Sequence, residues 1–287
     1  MKTTKQILFL AVLGCMMAPV AAQTVNVTLQ CGQSYTINST VAATATDGLT
    51  YRWLENGSIV HETAATLLVP TTKSVGIYTY VRQAKSTDCT DWQNSNEFTV
   101  EVKNKEGIDG VCLGGVMWAK YYVGEPGSFV ATIDARGKLY QFNRNVAYPP
   151  DPPYTAPTEL VSELVDWEVI NSPCVAPWRI PTEADAKALL ANTITAYSFN
   201  GAFDLATAWV RSPGMPNPNS QVEDNAIFFA GGNRVCYGGN YSACCYIQFW
   251  CTKSTAETYA LSIGLAYDNA LHYNSLKNCA TPIRCVQ

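Results

Sequence analysis

The 287 residues are 47% hydrophobic and 15% charged, with a net charge of −4. That balance supplies a packed core and excludes a disordered chain. The slight acidity, with no Lys/Arg run, argues against nucleic acid as a partner and against adsorption to an anionic membrane.

The chain opens with a pattern for export. Lys2 and Lys5 precede a short apolar run, and Val20-Ala21-Ala22 supplies the small residues that signal peptidases prefer. Residues 1–22 are therefore read as a signal peptide, with the mature chain, from Gln23, secreted or held on the outer surface of the cell. An alternative takes Val12-Leu13-Gly14-Cys15 as a lipobox, so that a lipid on Cys15 is the one link to a membrane. No later segment is apolar for long enough to span a bilayer. Removing Cys15 from the eleven cysteines leaves ten, and in an exported chain these read as disulfides.

Residues 23–103 alternate apolar with polar side chains in Val25–Leu29, Tyr35–Ile37, Tyr51–Trp53, Val75–Val81 and Phe98–Val102. Turn signals such as Asp47-Gly48 and Glu55-Asn56-Gly57 separate these runs, and short strands so spaced predict a β-sandwich. The stretch resembles an immunoglobulin-like module: Cys31 comes early, Trp53 stands as a core tryptophan, and Gly76-Ile77-Tyr78 matches a tyrosine-corner stretch. It departs from that pattern at Tyr80, where the second cysteine would stand. A Cys31–Cys89 bridge would then tie a loop rather than pin the two sheets.

Residues 104–110, polar and carrying Gly107 and Gly110, read as a linker. From 111 to 287 the chain becomes rich in aromatics, Pro and Gly. Two helical patterns occur. Leu160, Leu164 and Trp167 recur at helical spacing after Thr158-Glu159. Thr182 with Glu183 and Asp185 forms an N-terminal cap for a second run carrying Ala186, Leu189 and Leu190, closed by Asn192. The remainder reads as loops and short strands.

Several motifs in this half, in order, resemble the Fibrobacter succinogenes major paralogous domain, a C-type-lectin-like family of secreted bacterial proteins. They are Gly115–Ala119, Gly137–Tyr140, Trp167 with Asn171–Cys174, Pro177–Thr182, Phe229–Arg234, Phe249-Trp250 with Ser254-Thr255, and Pro282–Val286. The resemblance implies an α+β lectin-like domain over 111–287, mainly β with short helices. It implies a Cys174–Cys285 bridge and, by the same analogy, Cys251–Cys279, leaving Cys112, Cys236, Cys244 and Cys245 unassigned. Trp178, Arg179, Pro181, Thr182 and Trp250 are read as structural, with the tryptophans as apolar anchors and Arg179 as an internal tie.

No catalytic constellation is found. The two histidines, His61 and His272, sit in no metal-binding or triad motif, and no glycine-rich phosphate loop opens a helix. The calcium signatures of sugar-binding lectins are missing, and Cys236, Cys244, Cys245 and Cys251 suit disulfides better than zinc in an oxidising compartment. Formylglycine-generating enzymes share the lectin-like fold, but their catalytic pattern is not recognisable. No cofactor is expected.

The C-terminal stretch mixes Tyr and Asn with Ser and Gly, a composition that suits adaptable contact surfaces. Tyr237, Asn240, Tyr241, Tyr267, Asn269, His272, Tyr273 and Asn274 form the candidate ligand-facing set. The function expected is non-enzymatic recognition or adhesion, with a carbohydrate or protein ligand. The alternatives are a structural subunit of a fimbria-like surface polymer and, third, an exported enzyme.

Overall fold

The computed structural model describes residues 25–38, 49–62, 66–86, 90–151, 155–200, 205–211, 213, 226–230, 234–236, 241–242, 247–265 and 271–287. The described residues are mainly β, with one α-helix among them. The chain divides into two compact units. The first runs to Thr71 and resumes at Gly76–Lys103; the second is Thr72–Val75 with Asn104–Gln287.

The first unit holds β1 (Val25–Gln30), β2 (Tyr35–Asn38), β3 (Leu49–Glu55), β4 (Ser58–Glu62), β5 (Thr66–Val69), β6 (Gly76–Ser86) and β7 (Gln93–Lys103). Five of them form a sheet in the order β1-β7-β6-β3-β4, with β1 parallel to β7, and β2 pairs with β5 in a second sheet. The period of two explains the burial: Ile37, Trp53, Val69, Tyr80 and Val100 all point inward. Trp53 packs on Phe98, with ring centroids 6.2 Å apart. Tyr80 is buried, and burial raises its pKa. Asn56 and Gly57, at φ 48° and 83°, make the β3–β4 hairpin turn, whose left-handed backbone conformation these two residue types tolerate. β4 and β5 are strands that the alternation had not singled out.

The second unit carries β8 (Gly110–Leu113), β9 (Val116–Ala119), β10 (Leu139–Gln141), α1 (Glu183–Asn192), β11 (Ile194–Asn200), β12 (Leu205–Arg211) and β13 (Ala226–Ala230). β14 (Arg234–Cys236), β15 (Tyr241–Ser242), β16 (Gln248–Ser254), β17 (Tyr259–Gly264), β18 (Leu271–Leu276) and β19 (Cys279–Pro282) follow. They assemble as β10-β19-β14-β15, β11-β12-β13, β16-β17-β18 and the hairpin β8-β9. At the hairpin turn Gly114 has φ 61°, and an added Cβ would lie 2.5 Å from the Ala188 carbonyl oxygen of α1. Only glycine fits both demands.

The core of this unit is aromatic. Phe142 meets Trp167 and Trp250 edge-on at 5.1 and 5.6 Å. The Trp250 indole donates to the Tyr140 carbonyl at 2.8 Å, so its one polar group is satisfied in the interior.

The helix expected around Leu160, Leu164 and Trp167 does not form. Residues 155–168 run without regular structure to a 3-10 turn at Val169–Asn171. The amides that a helix would bond internally are taken elsewhere: Glu163 N–H donates to the Glu257 carbonyl in the β16–β17 turn at 3.0 Å, and Trp167 N–H to that of Thr252 on β16 at 2.7 Å. Val161 and Trp167 are buried while Leu160 and Leu164 face solvent. This is a strap along the sheet.

Candidate ligand-binding surface

The motif around Trp178 is a structural joint. The Thr182 hydroxyl accepts from Asp185 N–H at 3.2 Å, and the Asp185 carboxylate accepts from Thr182 N–H at 2.7 Å, closing a capping box on α1. Arg179 grips the same carboxylate through both terminal nitrogens, at 2.6 and 3.1 Å, and donates to the Ile180 carbonyl at 3.2 Å. Burial pushes the Asp185 pKa up, but the hydrogen bonds from Arg179 and Thr182 outweigh it and hold the carboxyl below its usual range. The Pro181 carbonyl accepts from Thr252 N–H at 2.9 Å, and Trp178 meets Phe129 edge-on at 5.8 Å. Arg179 and Val286 exchange two backbone hydrogen bonds of 2.8 Å, which joins the motif to the C-terminal segment.

The Cys174–Cys285 disulfide links the same two regions, with Cα atoms 6.0 Å apart. The Cys251–Cys279 pairing expected from the resemblance is corrected. Cys279 bonds to Cys236, which lies directly opposite it in the β14–β19 ladder. Cys251 sits on β16 as a free thiol in the apolar core, and burial raises its pKa well above the ordinary value. Loop closure by the two bridges, over separations of 111 and 43 residues, is worth roughly 5 and 4 kcal/mol in the chain-entropy account. Cys31 and Cys112 are also disulfide-bonded. Cys89, proposed as the partner of Cys31, lies outside the described residues. Disulfides of this kind belong to an oxidising, extracytoplasmic setting.

Of the candidate ligand-facing residues, Tyr237, Asn240, Tyr267 and Asn269 lie outside the described residues, and Tyr241 is placed by its backbone opposite Val235 in the β14–β15 pair. The other three share β18, which ends the β16-β17-β18 sheet. His272 is half-buried opposite Ser262, while Tyr273 and Asn274 are exposed. Beneath the strand, the Gln248 amide donates to the Ser262 and Ser275 hydroxyls at 2.6 and 2.7 Å, a polar network that fixes β18 from its buried side.

Sequence reading missed the charged cluster into which Tyr273 is built. Its hydroxyl donates to Glu183 at 2.9 Å, and Glu183 also takes Lys187 at 2.8 Å and Lys253 at 2.5 Å. Hydrogen bonds from Lys187, then Lys253 and Tyr273, hold the Glu183 carboxyl down at about 2. The Glu183–Lys187 spacing of four residues was the legible part; β16 and β18 supply the rest. The result is a charged platform beside the exposed Tyr273 and Asn274 side chains, with hydrogen-bond donors and acceptors and a flat ring in one place.

Two buried cations were also missed. The Arg284 guanidinium lies 3.8 Å from the Tyr122 ring centroid and donates to the carbonyls of Lys120 and Phe228 at 2.5 and 2.8 Å. Lys277 donates to the Ser254 hydroxyl at 2.6 Å and to the Glu163 carbonyl, which pins the strap. Both act as internal struts. Among the described residues no group of His, Cys, Asp and Glu converges to hold a metal ion, and no helix is long and apolar enough to cross a membrane.

No family model matches the chain, and no curated protein matches it. Among solved structures, a quinonprotein alcohol dehydrogenase-like protein from Bacteroides thetaiotaomicron is similar at 12% identity, over 89% of this chain and 70% of that one, with a TM-score of 0.26. A likeness at that score carries no argument about fold or function.

Proposed function

We propose that this chain is an exported, non-enzymatic recognition or adhesion protein, held outside the cell after removal of its leader near Ala22. Its first unit is read as an immunoglobulin-like spacer. Its second, of C-type-lectin-like type, grips a carbohydrate or protein ligand. The observation that carries this reading is the β18 edge, where Tyr273 and Asn274 stand exposed beside the Glu183–Lys187–Lys253 cluster. Aromatic faces suit the apolar face of a sugar ring, and fixed amide, ammonium and carboxylate groups suit its hydroxyls. The disulfides and the Arg179–Asp185 joint support rigidity around that edge, which lowers the entropic cost of binding.

The test is a glycan and protein array probed with the full exported chain. Saturable retention of a carbohydrate or protein class is the expected result. Retention of nothing, together with turnover of an offered substrate, would replace recognition by an exported enzyme.

A further inference from the structure

Residues Thr72–Val75 lie between β5 and β6 of the first unit in sequence, yet they belong to the second unit in the fold. Ser74, only 1% exposed, is their pivot. Its hydroxyl accepts from Gly114 N–H at 2.8 Å and donates to the Asn192 carbonyl at 3.2 Å. One side chain thus bridges the turn of the β8–β9 hairpin and the last residue of α1. That carbonyl is among the four that a helix leaves without an internal donor. The Thr193 hydroxyl serves the Leu189 carbonyl at 2.6 Å, so Ser74 adds from elsewhere to a helix end that its own flank caps in part. Val75 N–H donates to the Cys112 carbonyl of β8 at 2.9 Å, and its side chain packs on the apolar cluster that includes Leu113, Leu189 and Cys251.

The order of this short insert depends on the unit it leaves and rejoins. With β5 and β6 formed, both ends of the loop are already held, and docking costs little further entropy. With the first unit unfolded, keeping Ser74 and Val75 in place closes a flexible loop over residues 76–103. The logarithmic scaling of loop closure disfavours that by roughly a hundredfold. Undocking in turn leaves the Gly114 amide and the Asn192 carbonyl without this hydroxyl and uncovers the cluster beneath Val75. The helix so held carries Glu183 and Lys187 of the charged platform toward its other end.

We propose that Thr72–Val75 is a clasp through which folding of the first unit stabilises the second, so that the first unit supports the ligand edge as well as spacing it. The test uses Cys251, a thiol in the core of the second unit, as reporter. The full exported chain is exposed to N-ethylmaleimide without reductant, and the Cys251 peptide is followed by mass spectrometry. Hydrogen exchange of the β6 amides reports opening of the first unit. Trp53→Ala, in the core of the first unit, is expected to speed Cys251 labelling on the order of tenfold. Val100→Ala, a milder lesion in the same core, acts in the same direction and serves where Trp53→Ala does not fold. In a chain carrying Ser74→Ala with Val75→Ala, labelling is faster from the outset. Trp53→Ala then adds less than about twofold, as a double-mutant cycle requires of a shared route. Cys251 labelling that stays at the wild-type rate while the β6 amides exchange freely overturns the proposal. A Trp53→Ala effect equally large with the clasp removed overturns it too.

Discussion

Arg179 shows how one side chain can serve shape rather than ligand. Its guanidinium holds the Asp185 carboxylate that caps α1, while half of its own surface remains in water. Because the Asp185 pKa lies below its unfolded value, the pair contributes stability above about pH 4, and that contribution fades as pH falls through the folded pKa. Arg179→Ala is therefore expected to cost about 1 kcal/mol near neutral pH, discounted for solvent screening. The loss shrinks toward zero in strong acid, as urea melts at a series of pH values would read. A loss independent of pH would assign Arg179 a packing role alone. The cap itself was readable from Thr182, Glu183 and Asp185, because its chemistry is local. Arg284 was not readable: its partners, Tyr122 and the carbonyls of Lys120 and Phe228, come from distant parts of the chain.

At the scale of elements, local signals succeeded where the backbone had no competing partner. Strands β1, β2, β3, β6 and β7 of the first unit fall on the alternating runs, and the Asn56-Gly57 turn falls where its residues tolerate positive φ. The strap failed because Leu160, Leu164 and Trp167 fit a helical period, yet the Thr252 carbonyl of β16 and the Glu257 carbonyl of the β16–β17 turn take its amides instead. Periodicity cannot register a hydrogen bond to a strand about ninety residues away. Mutational thermodynamics separates the two pictures. Val161→Ala is expected to cost about 1–2 kcal/mol and Trp167→Ala about 3–5 kcal/mol. Leu160→Ala and Leu164→Ala each cost less than about 0.5 kcal/mol. Equal losses at Leu164 and Trp167 would restore the helix.

At the scale of the whole molecule, the cysteines make the sharpest prediction. With Cys15 removed or acylated, ten remain, and Cys251 is unpaired. An odd number cannot pair completely, so a second thiol must exist. Cys31, Cys112, Cys174, Cys236, Cys279 and Cys285 are all bonded. Thiol titration of the unreduced, denatured chain should give an even number, at least two, with Cys251 silent until unfolding. A count of zero would contradict the free thiol in the core. The Cys236–Cys279 bridge could not be read from spacing, because it depends on the β14–β19 register, which only the folded sheet defines. The Tyr and Asn richness of the C-terminal stretch was legible as composition, yet composition did not indicate that α1 and β16 would surround Tyr273 with Glu183, Lys187 and Lys253.

Recognition through the β18 edge is tested most directly by titrating the ligand class retained on the array against Tyr273→Ala with Asn274→Ala in the full exported chain. Asn274 stands in solvent and Tyr273 gives up one exposed hydrogen bond to Glu183, so the fold should lose no more than about 1 kcal/mol. Binding is predicted to weaken on the order of a hundredfold, as for paired contact residues at the centre of a site. An affinity within twofold of the unsubstituted protein would place the binding surface elsewhere and remove the basis of the functional assignment.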